Sequence, residues 1–178
     1  MKYAIALALA GIGLSPAIAT HYGTVGNWDV YYQATTCAAR TTINGTEFAT
    51  QYSWATDTTV TALSNPNWTV PKDDIGAKLS MAHTSRVVSM DALLVPDVEN
   101  NGVTFAFGKG TELLESYANT KSFTATLPNG TVVASFQFTD ITKAMYLLAG
   151  CVHARRLADP FAKPALMMNR LAKGGIVK

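Results

Sequence analysis

Polar and apolar positions alternate along most of the middle of this chain. Trp28, Val30 and Tyr32 interleave with Asp29, Tyr31 and Gln33, the period of two expected of a half-buried strand. Arg40 to Gln51 carries Asn44-Gly45 at its centre, a pair that tolerates positive φ at both positions and so predicts a type I′ hairpin. A second hairpin is predicted where Ser122–Leu127 runs into Pro128-Asn129-Gly130 and returns as Thr131–Phe138, with Val132, Ala134, Phe136 and Phe138 on one face. Between the hairpins, Thr58–Leu63, Lys78–His83, Arg86–Met90 and Val103–Phe107 are β-branched or alternating. Turn formers separate them: Asn65-Pro66, Pro71 to Asp74, Pro96 and Asn100-Asn101-Gly102. Seven or eight short strands on this spacing predict a mainly β fold, an antiparallel β-sandwich or barrel-like meander. Thr111–Ala118 is expected to interrupt it with a turn or two of helix.

After Phe138 the period changes. Ile141, Met145, Leu148 and Val152 repeat at three- and four-residue spacing, one apolar helical stripe. Asp140 stands where a side-chain N-cap is expected. Arg155 and Arg156 fall in the last turn, favourable against the helix dipole, and Asp159-Pro160 ends the helix. A short second helix is expected from Pro164 to Gly174-Gly175.

The first 19 residues read as a cleavable export signal. Lys2 gives a basic start, Ala4–Leu14 an apolar run too short to span a bilayer, and Ala17-Ile18-Ala19 a small-x-small cleavage site. This divides the chain into a signal at 1–19, a β-sandwich domain with its closing helix at 20–158, and a tail at 159–178. It also places the protein in the periplasm or outside the cell. Cys37 and Cys151 are the two cysteines; in an oxidising compartment they are expected to form a disulfide rather than remain free thiols. No C-x-x-C or metal-ligand spacing is present, so no metal and no cofactor is expected.

Charge is sparse, at 15% of residues, and uneven. Thr20–Cys151 holds 7 Lys/Arg against 11 Asp/Glu, while Val152–Lys178 holds 6 against Asp159 alone. This basic tail suggests peripheral contact with an anionic membrane through Arg155, Arg156, Lys163, Arg170 and Lys173, with Met167, Met168 and Leu171 inserting. Otherwise it packs on the body or frays. Nucleic acid is not an expected partner. Among the aromatic residues, Trp28, Tyr32, Tyr52, Trp54 and Trp68 are expected in the core, with Tyr31 as the exposed exception and a candidate binding residue.

Catalytic patterns are thin. Ser80, Ser85 and Ser89 lie near His83 in sequence, without a G-x-S-x-G elbow. Asp73-Asp74 reads as a turn and Glu112/Glu115 as a solvated helical face, rather than as paired acids. Cleavage one residue later would expose His21 as an N-terminal copper ligand, given a second histidine from His83 or His153, but Thr20 suits that cut poorly. No catalytic residue is nominated.

Several segments together resemble a known family. Gly26-Asn27-Trp28-Asp29-Val30, Cys37-Ala38-Ala39 and Asn44-Gly45-Thr46 come first, and Ala144-Met145-Tyr146-Leu147-Leu148-Ala149-Gly150-Cys151 closes the pattern. They are similar to small exported alphaproteobacterial proteins of the invasion-associated locus B type. The resemblance spans 26–151, with Thr142 where the family usually has serine. It implies a periplasmic β-sandwich with a terminal helix and a Cys37–Cys151 bridge, serving as an accessory module. The combined expectation is a non-enzymatic binding protein for a protein or cell-envelope component, with an envelope hydrolase or a copper oxidase as alternatives.

Overall fold

The computed structural model describes residues 19–108 and 110–159, with 106–108 and 110–111 by backbone alone. The export signal and the tail beyond Asp159 therefore lie outside the described residues, as does the expected second helix. Among the described residues, ten strands and two helices follow in chain order. A five-strand meander comes first: β1 (Thr20–Val25), β2 (Trp28–Gln33), β3 (Thr36–Ile43), β4 (Thr46–Ser53) and β5 (Thr58–Ser64). Next come β6 (Ile75–His83), β7 (Val87–Asp97), β8 (Gly102–Gly108) and α1 (Gly110–Ala118). The hairpin β9 (Thr120–Thr126) and β10 (Val132–Gln137) precedes α2 (Ile141–Leu157). All pairings are antiparallel, in the order β1-β2-β3-β4-β5-β8-β7-β6-β9-β10. The fold is thus mainly antiparallel β with a C-terminal helix, as the alternation predicts.

Both hairpins form where expected. Asn44 and Gly45 take φ of 51° and 76°, the twist that closes a two-residue hairpin without splaying the strands. In the second hairpin Ala134 and Phe136 are buried as anticipated, but Val132 is 54% exposed. A bulge between Val132 and Ala134 adds one residue to the strand. That extra residue turns Val132 off the inner face.

Two other expectations, at Pro96 and Asp140, are corrected, and one strand is added. Pro96 does not end a strand; it lies within β7 and pairs with Val103. It sits just past the point where β7 leaves β6, at Leu94, and joins β8, at Val95. At such a handover a residue without an N–H costs the ladder little. The N-terminal strand β1 was hidden because Thr-His-Tyr-Gly-Thr-Val has no apolar alternation. It is held by pairing with β2 and by Leu147 of α2 against Gly23. Asp140 does not cap α2 through its side chain: it takes a left-handed φ of 56° and accepts instead from Lys143 Nζ at 2.7 Å.

The two sheet halves enclose an aromatic core. Phe48 of β4 is fully buried, with its ring centroid 5.6 Å from those of both Phe123 and Phe136 on the opposite hairpin. Trp28, Phe138 and Tyr117 surround it at 5.9, 5.0 and 5.4 Å. Most of these contacts are edge-to-face, the favoured geometry for ring quadrupoles. The helix α2 lies on the same inner side, over β1–β3, and buries Ile141, Met145, Leu148 and Val152 as the stripe predicts. Its Cys151 is bonded to Cys37 of β3, across 114 positions of sequence, with Cα atoms 6.2 Å apart. The disulfide is shielded from solvent and fits an oxidising environment.

Candidate functional site

On the outer face of β2–β5 and β8, cross-strand register places small side chains side by side. One rung reads Asp29, Arg40, Ala49, Ala62, Thr104, Val95. The next reads Glu47, Ser64, Gly102, Asp97. Ala49, Ala62 and Gly102 form the floor of a furrow of about 230 Å³, with Arg40, Glu47, Ser64, Asp97 and Asn100 around it. Gly102 is required there: a Cβ would meet the Leu63 carbonyl oxygen at 2.6 Å.

The charges around this furrow are not paired with one another. Arg40 and Glu47 are diagonal neighbours on the same face of the first hairpin, a spacing within reach of long side chains. Arg40 instead turns to Tyr31, with Nη2 donating to the phenol oxygen at 2.8 Å and the guanidinium carbon 4.3 Å from the ring centroid. Among the described residues, neither Asp29 nor Glu47 makes an ion pair with it. Asp97 accepts from the Asn100 backbone N–H at 3.3 Å and from its Nδ2 at 2.8 Å. Beyond Tyr31, His21 packs edge-on at 5.3 Å, and its Nε2 lies 3.5 Å from Asp29 Oδ1. The furrow thus offers carboxylates and amide and hydroxyl groups to a ligand, with one cation tethered at its edge.

The candidate binding residues that are described, Tyr31, Arg155 and Arg156, do not form one patch. Tyr31 is half-buried on the outer face. Arg155 lies on the inner side, its guanidinium carbon 3.8 Å from the centroid of Tyr32. Successive strand residues point to opposite faces, so neighbours in sequence are separated by the sheet. Arg156 approaches Tyr52, where its positive charge partly opposes the effect of Asp57. Tyr52 donates to Asp57 Oδ1 at 2.9 Å, and burial together with this carboxylate holds its phenol well above the ordinary value. Trp54 Nε1 donates to Asp159 Oδ2 at 3.2 Å, fastening the chain just past α2. Lys163, Arg170 and Lys173 lie outside the described residues.

Among the histidines, His83 is the one brought to a serine. Ser116 Oγ of α1 lies 3.4 Å from His83 Nε2 and 3.8 Å from Met81 Sδ. Burial, followed by the nearby charge of Arg86, lowers the His83 pKa below 6.5. Ser80 and Ser89 face the other side of the sheet and contact each other at 3.1 Å. Among the described residues, no group of three or more His, Cys, Asp or Glu side chains is arranged to hold a metal, and no helix is long and apolar enough to cross a membrane.

Arg40 and Glu47 were accessible in principle from sequence, because the Asn44–Gly45 turn fixes their register. Asp97 and Asn100 were not, since β8 must first insert beside β5 to bring them there. Comparison with family models, curated proteins and solved structures returns no match.

Proposed function

We propose that this chain is an exported, non-enzymatic binding protein of the periplasm or cell exterior, and that its partner is a protein or cell-envelope component. The likeness to the invasion-associated locus B group belongs to the same proposal. The observation that carries the reading is the outer-face furrow. It has a floor of small side chains and a Glu47 carboxylate left without its diagonal cation, because Tyr31 holds Arg40 aside. Such a site favours a partner that inserts a basic side chain, for which Glu47 and Asp97 supply charge and Ser64 and Asn100 hydrogen bonds. The buried disulfide and the export-like N-terminus support the compartment.

The test is selection from a displayed random-peptide library on the immobilised, disulfide-bonded protein. Enrichment of lysine- or arginine-centred peptides, lost in Glu47→Gln and retained in Glu99→Gln, is the expected result. Equal retention by the wild type and Glu47→Gln would remove the furrow from the proposal.

One observation favours an envelope hydrolase as a second reading, namely the 3.4 Å approach of Ser116 Oγ to His83. Covalent labelling of Ser116 by a fluorophosphonate probe, abolished in His83→Ala, would replace the binding role with that one. No labelling leaves the furrow as the functional surface.

A further inference from the structure

Among the described residues the last strand of the sheet, β10, has one strand partner, β9, and its other edge ends the sheet. Open edges are templates for another strand, and proteins commonly blunt them with charge, proline or a bulge. From Ser122 to Thr139 no side chain is charged, and β10 contains no proline. Its one bulge lies at the start, between Val132 and Ala134, so Ala134–Gln137 pairs regularly. The opposite edge, β1, differs: it carries a bulge between His21 and Gly23, and α2 packs on it.

The backbone direction of β10 is fixed by its bond to β9. Phe138 N–H donates to the Lys121 carbonyl at 2.8 Å. In an antiparallel ladder the bonding side alternates from residue to residue. Ser135 and Gln137 therefore direct their N–H and C=O groups away from β9, at the free edge.

We infer that β10 pairs antiparallel with β10 of a second copy of this chain, about a two-fold axis at Ser135. This register is self-complementary. Ser135 meets its own copy as a hydrogen-bonded pair, exchanging two backbone bonds. Ala134 falls opposite Phe136 of the second copy on the inner face, and Gln137 opposite Val133. Inner faces thus meet inner faces, which a shift by one residue would violate. No like charges oppose across the axis.

The outer side chains suit the same register. Ser89, Ser80, Thr124 and Ser135 occupy one rung across β7, β6, β9 and β10. Their hydroxyls touch pairwise, Ser89 with Ser80 at 3.1 Å and Thr124 with Ser135 at 3.4 Å. Pairing at Ser135 extends this row of small hydroxyls across the axis, and cross-strand hydroxyl pairs of this kind are favourable.

The experiment is sedimentation velocity on the mature, disulfide-bonded protein over a concentration series, with hydrogen exchange on the same samples. The expected result is a reversible dimer in which the Ser135 and Gln137 amides gain protection as concentration rises. Ser135→Pro removes an edge N–H that β9 does not use, and should raise the dimer Kd at least tenfold. Ser135→Lys sets two cations directly opposite and should do the same at low salt, with partial recovery at high salt. The second variant changes an exposed side chain, so it decides the matter if proline impairs folding. A wild type that stays monomeric into the millimolar range overturns the inference. So does a dimer that persists unchanged in Ser135→Lys, which would place the contact elsewhere.

Discussion

Arg155 stacks on Tyr32, with 3.8 Å between guanidinium carbon and ring centroid, one helical turn beyond the disulfide that joins Cys151 to Cys37. Tyr32 is itself the cross-strand partner of Cys37. The end of α2 is therefore fixed to one rung of the sheet twice, by a covalent bond and by a cation over a ring. This explains why Arg155, in the last turn of the helix, stays half-buried.

Breaking the covalent half has a defined cost. Closing a loop of this length restrains the unfolded chain, and losing a native bridge typically costs about 2–5 kcal/mol. Urea unfolding with and without dithiothreitol, or of the Cys37→Ser/Cys151→Ser double variant, should show that loss. An unchanged midpoint would mean that the helix holds without its bridge.

Arg155→Ala should destabilise by about 1 kcal/mol through the lost cation–π contact. Arg155→Lys should recover only part, because an ammonium does not stack as a planar guanidinium does. The two effects at this end are coupled, so Arg155→Ala should cost less once the disulfide is reduced. Denaturant midpoints of the four combinations measure this directly.

Phe48→Ala should be among the most damaging single changes, at about 3–5 kcal/mol. Its ring borders both sheet halves and α1. Phe48→Leu should cost appreciably less, since most of the volume remains. Calorimetry of the two variants separates cavity formation from loss of the edge-to-face contacts.

His83 contributes to the acid side of the stability profile. Its native pKa is lowered by burial and by Arg86, so on acidification the unfolded chain takes up this proton before the folded one. The His83 contribution should be full above pH of about 6.5 and fall as pH drops from there toward the lower native value. His83→Gln should flatten that part of the curve. An imidazole that titrates by NMR at or above 6.5 in the native protein would contradict the placement.

Tyr52 and Tyr117 contribute to the alkaline side. Burial raises both phenols, with Asp57 adding to the effect at Tyr52 and the Thr61 hydroxyl, 2.9 Å away, opposing it at Tyr117. An acid whose native pKa is raised contributes stability below its unfolded value, lost as pH climbs above about 10. Absorbance at 295 nm should therefore show two tyrosines ionising together with unfolding rather than before it. Tyr52→Phe should delay the alkaline transition.

Local chemistry in the sequence was enough to determine the mainly β character, both Asn-Gly-containing hairpins, the apolar stripe of α2 and the pairing of the two cysteines, but not the strand β1. Alternation, positive-φ turn residues and a 3.6-residue period act over a few neighbours, and two cysteines allow one bridge. The same rules failed at Val132 and Pro96. There a bulge and a change of partner strand decide which way a residue points, and neither is encoded in the residue itself. The furrow needed more still. Arg40 and Glu47 share a hairpin, but Asp97 and Asn100 join them only because β8 inserts beside β5 and β7 follows it. Tyr31 and Arg155, both nominated from sequence, end on opposite faces, since adjacent positions on a pleated strand project to opposite sides. Which polar groups share a surface was thus settled by strand order and register, long-range properties fixed when the sheet assembles around its aromatic core.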